Sequence, residues 1–181
     1  MKGWAIRTAT AEDIPLLEDL VRRSARSLLI AHYSAAQIEA ALGPVFGVDA
    51  QLVRDGTTMV VVDGENRILA CGSWSRRRSL FGSGVHHSEA AEPLDPAVDA
   101  ARIRAFFVDP GATRRGLGKA LLEACETAIH TAGFREIELV ATLAGEPLYS
   151  AHGYAETGRF GIEVSGTPPL EAIRMRKRLE S

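Results

Sequence analysis

Arg114, Arg115, Gly116, Leu117, Gly118 and Lys119 form the stretch of this sequence best suited to chemistry. Three cations and two glycines stand at the start of an amphipathic segment. Leu117, Ala120, Leu121, Ala124 and Ala128 recur at steps of three and four, and Leu122, Cys125 and Ile129 widen that face. Such spacing predicts a helix with one buried stripe, beginning near Gly116. The first N–H groups of a helix have no intrahelical partner, and the helix dipole adds partial positive charge there. Glycines let a ligand approach that backbone closely. Charge-assisted hydrogen bonds contribute about 1.5–3 kcal/mol each, so this corner can hold a pyrophosphate without a metal. The same residues would also serve as a plain helix start with solvated arginines. Two phosphate motifs fail here. Gly111 and Gly116 have the spacing of a GxxxxGK[ST] loop, but Leu117 stands where the lysine belongs. In GxGxxG, Leu121 replaces the third glycine.

Other chemistry-bearing residues are more scattered. Arg76, Arg77 and Arg78 form a basic cluster that could meet an anion or be solvated at a loop base. His86 and His87 are adjacent, so an extended backbone sends them to opposite sides, and they are not taken as metal ligands. Cys71 and Cys125 are far apart among apolar or small neighbours, as buried free thiols would be. No metal-ligand spacing is present.

The elements that position these groups follow from the pattern. The 181 residues predict a single domain, 1–181, with an irregular loop over 76–100. A 46% hydrophobic and 24% charged composition is that of a globular protein. A net charge of −2 gives no nucleic-acid signal. The N-terminus has no apolar signal core and no run is long enough to span a membrane, so a cytoplasmic protein is expected. A strand is expected at Trp4 to Arg7, then a helix capped near Thr10 or Asp13, with Pro15 in its first turn and Ile14, Leu17, Leu20 and Val21 inward. A second helix begins at Ser34 with a Ser34–Gln37 capping box, turns Ile38, Ala41 and Leu42 inward and stops at Gly43-Pro44. Thr57 to Val62 and Arg67 to Ser75 flank Asp63-Gly64 as a hairpin. Ala101 to Val108 leads into the glycine corner; strict alternation puts Arg102, Arg104 and Phe106 on one face and Ile103, Ala105 and Phe107 on the other. Arg135 to Thr142 alternates as a strand after Gly133, and Ala155 leads into another. Gly161 to Ser165 and Ala172 to Leu179 are expected as the last two strands.

Taken together, these segments resemble the GNAT superfamily of N-acetyltransferases. The family signature [QR]-x-x-G-x-[GA] falls on Thr113-Arg114-Arg115-Gly116-Leu117-Gly118, with Thr113 at the glutamine or arginine position. Arg7, Ala9, Thr10 and Asp13 match the family's R-x-A-T-x-x-D opening, and Tyr149 with Gly153-Tyr154 matches its closing segment. The resemblance implies an α+β fold, a mixed and mostly antiparallel sheet of six to seven strands flanked by helices. It implies that acetyl-CoA is the cosubstrate, bound by Arg114, Arg115, Gly116, Leu117, Gly118 and Lys119. Backbone near Phe106 and Val108 would pair with the pantetheine amides, and N–H groups around Phe107 and Val108 would meet the thioester oxygen. Thr142 stands where the family often has an asparagine, and Arg102 where many members have a glutamate base. Tyr149 is then the general acid for the leaving thiolate. With Arg102 in place of that base, Asp99, His32 or a water chain would take the amine proton. His32 and Tyr33, between the first two helices, would wall the acceptor site.

The implied reaction moves an acetyl group from acetyl-CoA to a primary amine of a small molecule or peptide by direct transfer in a ternary complex, without metal, nucleic acid or membrane. Exposed edge strands leave a homodimer open. A non-catalytic acyl-CoA sensor on the same fold, and an unrelated anion-binding α/β protein, are the competing readings.

Overall fold

The computed structural model describes residues 3–82 and 92–180. His86 and His87 lie outside the described residues. A seven-stranded sheet runs through the molecule. Its strands are β1 Trp4–Thr8, β2 Thr58–Asp63, β3 Ile68–Ser75, β4 Ala101–Val108, β5 Glu136–Thr142, β6 Ala155–Ile162 and β7 Leu170–Arg178. The order is β1-β2-β3-β4-β5-β7-β6. Every neighbouring pair is antiparallel except β4 and β5. A parallel pair needs a crossover, and α4 (Leu117–Thr131) supplies it.

The helix α4 covers one face of the sheet. Its Leu122, Cys125 and Ile129 are fully buried against Ile103, Ile137 and Leu139, as the three-four spacing predicts. The other face carries α1 (Ile14–Leu28), α2 (Ala35–Ala41) and the short α3 (Ala50–Arg54). There Leu17 and Leu20 pack on Val60, Val62 and Cys71, while Val21 and Ala25 join Ile38, Ala41 and Phe46. Burial of the Cys71 thiol pushes its pKa up to about 12.

The helix α1 starts as expected, with Asp13 as its N-cap and Pro15 in its first turn, behind a short 3-10 turn over Ala11–Asp13. Two expectations are corrected. The strand after Tyr154 runs unbroken from Ala155 to Ile162, so Gly161 to Ser165 is not a strand of its own. The second concerns β4. Cys71 pairs with Phe107 and Ser73 with Arg104, so three steps on β4 oppose two on β3. The extra residue is a β-bulge, and Ala105 takes a left-handed φ of 55°. The bulge resets the alternation. Phe106 joins Ile103 on the α4 side, whereas Phe107 faces the α1 side and meets Phe46 edge-on at 6.2 Å.

A half-buried ion pair ties β1 to the turn before α1. Arg7 donates to both oxygens of Asp13 at 2.7 and 2.9 Å, and Thr10 N–H donates to the same carboxylate at 2.8 Å. The Arg7 guanidinium first, then the Thr10 amide, hold the Asp13 carboxyl down from 3.8 to about 2. A depressed carboxyl stabilises the fold above its unfolded pKa, and that stability is lost as pH falls from about 4 through about 2. Asp13→Asn is expected to cost on the order of 2 kcal/mol at pH 7 and much less at pH 2; urea unfolding at the two pH values measures the difference.

Candidate active site

The site begins where β4 and β5 separate. They pair only from Ala101 with Ile137 to Ile103 with Leu139. Beyond Ile103 the strands diverge, and a cavity of about 280 Å³ opens between Arg104–Val108 and Val140–Thr142. Asp109 N–H donates to Leu69 O on β3 at 2.8 Å. Backbone groups alternate in direction along a strand, so the Phe107 amide also turns to β3, opposite Cys71. The amides of Phe106 and Val108 turn the other way, into the gap. Of the two donors expected at the thioester, Phe107 is therefore committed to the sheet and Val108 faces the cavity.

The cradle under Phe106 is tight. A Cβ on Gly72 would stand 2.7 Å from the Phe106 ring, so glycine is required where the bulge brings that ring across the sheet. The Phe106 ring meets Tyr149 edge-on at 6.2 Å.

The glycine corner closes one end. Arg114 takes a φ of 60° and Gly116 one of 76°, and this sharp turn starts α4. The earliest intrahelical bond from outside the helix runs from Ala120 N–H to Gly116 O at 3.0 Å. The N–H groups of Leu117, Gly118 and Lys119 thus stand at the open helix start. Gly118 lines the cavity, and a Cβ there would meet Leu148 at 3.2 Å. The Leu117 side chain is core, packed with Ala112 and Leu121, so only its backbone is available. Arg114, Arg115 and Lys119 are exposed around this corner.

Tyr149 sits on α5 (Glu146–Ala151) and lines the cavity at 7% exposure. Burial raises its pKa well above that of a free phenol, so it keeps its proton. Thr142 lines the same wall, and its hydroxyl accepts from Gly145 N–H at 3.1 Å, closing the turn into α5.

The opposite end is walled from the α1 face. Leu28, Leu29, Tyr33, Phe46, Leu80 and Phe81 line it. Tyr33, 5% exposed, donates to Glu171 O at 2.7 Å and accepts from Leu143 N–H at 3.0 Å. It is thus a tie between the helix-side loop, β7 and the segment after β5. Tyr33→Phe keeps the ring but leaves the Leu143 amide and Glu171 carbonyl unpaired. Thermal unfolding should show a loss of about 1–3 kcal/mol. His32 is exposed and does not line the cavity.

Arg102 is not a base site. It donates to Glu138 at 2.8 Å and to Ala100 O at 3.1 Å, away from the cavity lining. Asp99 is bonded at the loop base, accepting from Asp95 N–H at 2.8 Å, and is also outside the lining. The Arg76–Arg78 cluster is spent on the protein itself. Arg77 pairs with Asp55 at 2.7 Å, Arg76 lies over the Trp74 ring, and Arg78 stands 3.8 Å from Glu92.

Sequence reasoning missed Arg104. Its side chain is 3% exposed, donates to Asp49 at 3.1 Å and to Gly82 O, and lines the cavity. Alternation alone gave it no partner, because Asp49 is the N-cap of the five-residue α3, a helix too short to leave a periodic signal.

Comparisons with known proteins agree with this fold. A family model described as an acetyltransferase (GNAT) domain matches residues 31–179. A GCN5-related N-acetyltransferase from Rhodopseudomonas palustris superposes with a TM-score of 0.73 at 19% identity, covering 99% of this chain and 98% of that one. The PaiA N-acetyltransferase from Thermoplasma acidophilum, solved with coenzyme A, gives 0.65 at 15% identity over 97% and 98%. A GNAT superfamily phosphinothricin acetyltransferase from Sinorhizobium meliloti, solved with acetyl-CoA, gives 0.65 at 18% over 98% and 89%. No curated protein matches the sequence.

Proposed function

Because this chain belongs to the GNAT acetyltransferase family, we propose that it transfers the acetyl group of acetyl-CoA directly to a primary amine held beside it in a ternary complex. The observation that carries this reading is the parting of β4 from β5 after Ile103, which opens the cavity between the start of α4 and Tyr149. A thioester chain laid in that gap gains β4 as a hydrogen-bonding edge, much as an added strand would.

The residues fit the cosubstrate. The α4 start, with the Leu117, Gly118 and Lys119 amides and the Arg114, Arg115 and Lys119 side chains around it, suits the pyrophosphate. Gly116 supplies the turn. The Phe106 and Val108 backbones suit the pantetheine amides, and Thr142 lies across the gap from them. Bound acetyl-CoA supplies an activated acetyl thioester. Val108 N–H, fixed by the sheet, then offers a preorganised donor to the thioester oxygen as charge grows on it. Tyr149 Oη holds a proton for the departing sulfur. Tyr33 positions the acceptor wall rather than touching the reacting atoms. His32 stands outside this arrangement.

A thermal-shift titration with acetyl-CoA, coenzyme A and ATP tests the reading. A ligand at 100 times its dissociation constant adds about 2.7 kcal/mol of stability. Both CoA species should raise the midpoint and ATP should not. An unmoved midpoint, with no heat of binding by calorimetry, would sink it. Binding without thiol release over a broad amine panel would favour the acyl-CoA sensor instead.

A further inference from the structure

The acceptor end of the cavity has an unusual balance of groups. Its wall is apolar, built from Leu28, Leu29, Phe46, Phe81 and Ile162. Among the described lining residues the one acidic side chain is Glu171, which is exposed and donated to by Arg159 at 3.0 Å. Among the described lining residues an ε-ammonium or a polyamine would find no buried carboxylate to hold it and no base to take its proton. The one lining cation among them is Arg104. Asp49 and Gly82 O take one N–H from each of its terminal nitrogens. A guanidinium has five N–H groups, so three remain without a partner among the described residues.

These facts fit one class of acceptor, and the inference rests on the acetyl-transfer reading above. We propose that the acceptor is a small apolar α-amino acid, its carboxylate taken by the free N–H groups of Arg104 and its side chain by the Leu28–Leu29–Phe46–Phe81 wall. The volume agrees. At about 280 Å³ the cavity is just below the usual range of small-molecule sites, about 300–1,000 Å³, and part of it must take the acetyl end of the cosubstrate.

The chemistry agrees as well. A lysine-like amine, with a pKa of about 10.4, is neutral in only about 1 part in 2,500 at pH 7. Pairing the carboxylate of an amino acid with Arg104 removes the anion that holds its ammonium proton. The amine then approaches the α-amino value of about 7.7–8.0, and roughly a tenth of it is neutral at pH 7. No protein base is required. The neutral nitrogen attacks the acetyl carbonyl carbon, a C–N bond forms and the C–S bond breaks. The nitrogen releases one proton to water, the sulfur takes one from Tyr149 Oη, and water restores the phenol. The products are the N-acetyl amino acid and free coenzyme A. Desolvation already disfavours the charged form of Arg104, and a bound carboxylate offsets that.

The test is thiol release by the unaltered protein with acetyl-CoA and matched amines. L-leucine, L-methionine and L-phenylalanine are compared with leucinamide, 3-methylbutylamine, spermidine and Nα-acetyl-lysine, alongside calorimetry of coenzyme A. The expected result is a kcat/KM for leucine about 100-fold above that for leucinamide and 3-methylbutylamine, the loss of two charge-assisted bonds. Leucinamide equal to leucine overturns the Arg104–carboxylate contact. Spermidine or Nα-acetyl-lysine as the better acceptor overturns the amino-acid class, as does coenzyme A binding with no release from any amine. Failure of coenzyme A to bind removes the acetyl-transfer reading beneath it.

Discussion

Replacing Tyr149 with phenylalanine is expected to lower kcat for acetyl transfer by about 10²- to 10⁴-fold while leaving coenzyme A binding intact. The hydroxyl makes no hydrogen bond to the described residues, so its removal orphans no donor or acceptor. The ring contacts with Phe106 and Tyr154 survive in phenylalanine. The thermal midpoint should therefore hold or rise while the rate collapses. Burial raises the pKa of the phenol, so it reaches the step in which the sulfur departs with its proton in place. Steady-state thiol release beside thermal unfolding checks both halves, and an unchanged kcat removes Tyr149 from the chemistry.

Gly118→Val should weaken coenzyme A by about 10- to 100-fold, or about 1.4–2.8 kcal/mol. A Cβ at this position already stands 3.2 Å from Leu148, itself a lining residue. Branching there pushes Leu148 into the cavity or covers the amides at the start of α4. Alanine is the control. It favours helix over glycine by about 1 kcal/mol, so Gly118→Ala should hold or raise stability while costing less affinity than valine. Calorimetric titration of both variants separates a blocked site from an unfolded one. Equal affinity in all three proteins would show that the backbone at Gly118 is not approached.

Much of the fold was legible because its elements are regular. The α4 stripe from Leu117 to Ile129, the Ser34–Gln37 box and the turn at Asp63-Gly64 each leave a local signature, and each lies where its pattern put it. The glycine corner and Tyr149 were legible as resemblance, and the structure brings Gly118, Tyr149 and Thr142 to one cavity. The failures share a cause: they depend on tertiary partners. An alanine at φ 55° carries no mark in sequence, so the alternation over Ala101 to Val108 reversed the face of Phe106. Tyr33 lines the cavity as expected, but its ties to Leu143 and Glu171, more than a hundred residues away, leave no mark near it in sequence. Arg102 and Arg104 look alike in the strand. Only the fold sends the first to Glu138 and the second to the cavity.

The bulge in β4 also makes a point about parity. Three steps on one strand set against two on the other mean that a single deletion at Ala105 would keep Arg104 and Phe106 on opposite faces, as they are now. Both hydrophobic layers would survive the loss, and the ladder to β3 would become continuous. The odd residue is thus surplus to the sheet. Its upkeep is an unpaired backbone position in the strand that edges the cleft, so in a lineage freed from catalysis this codon would be among the first that could be dropped without disturbing the core.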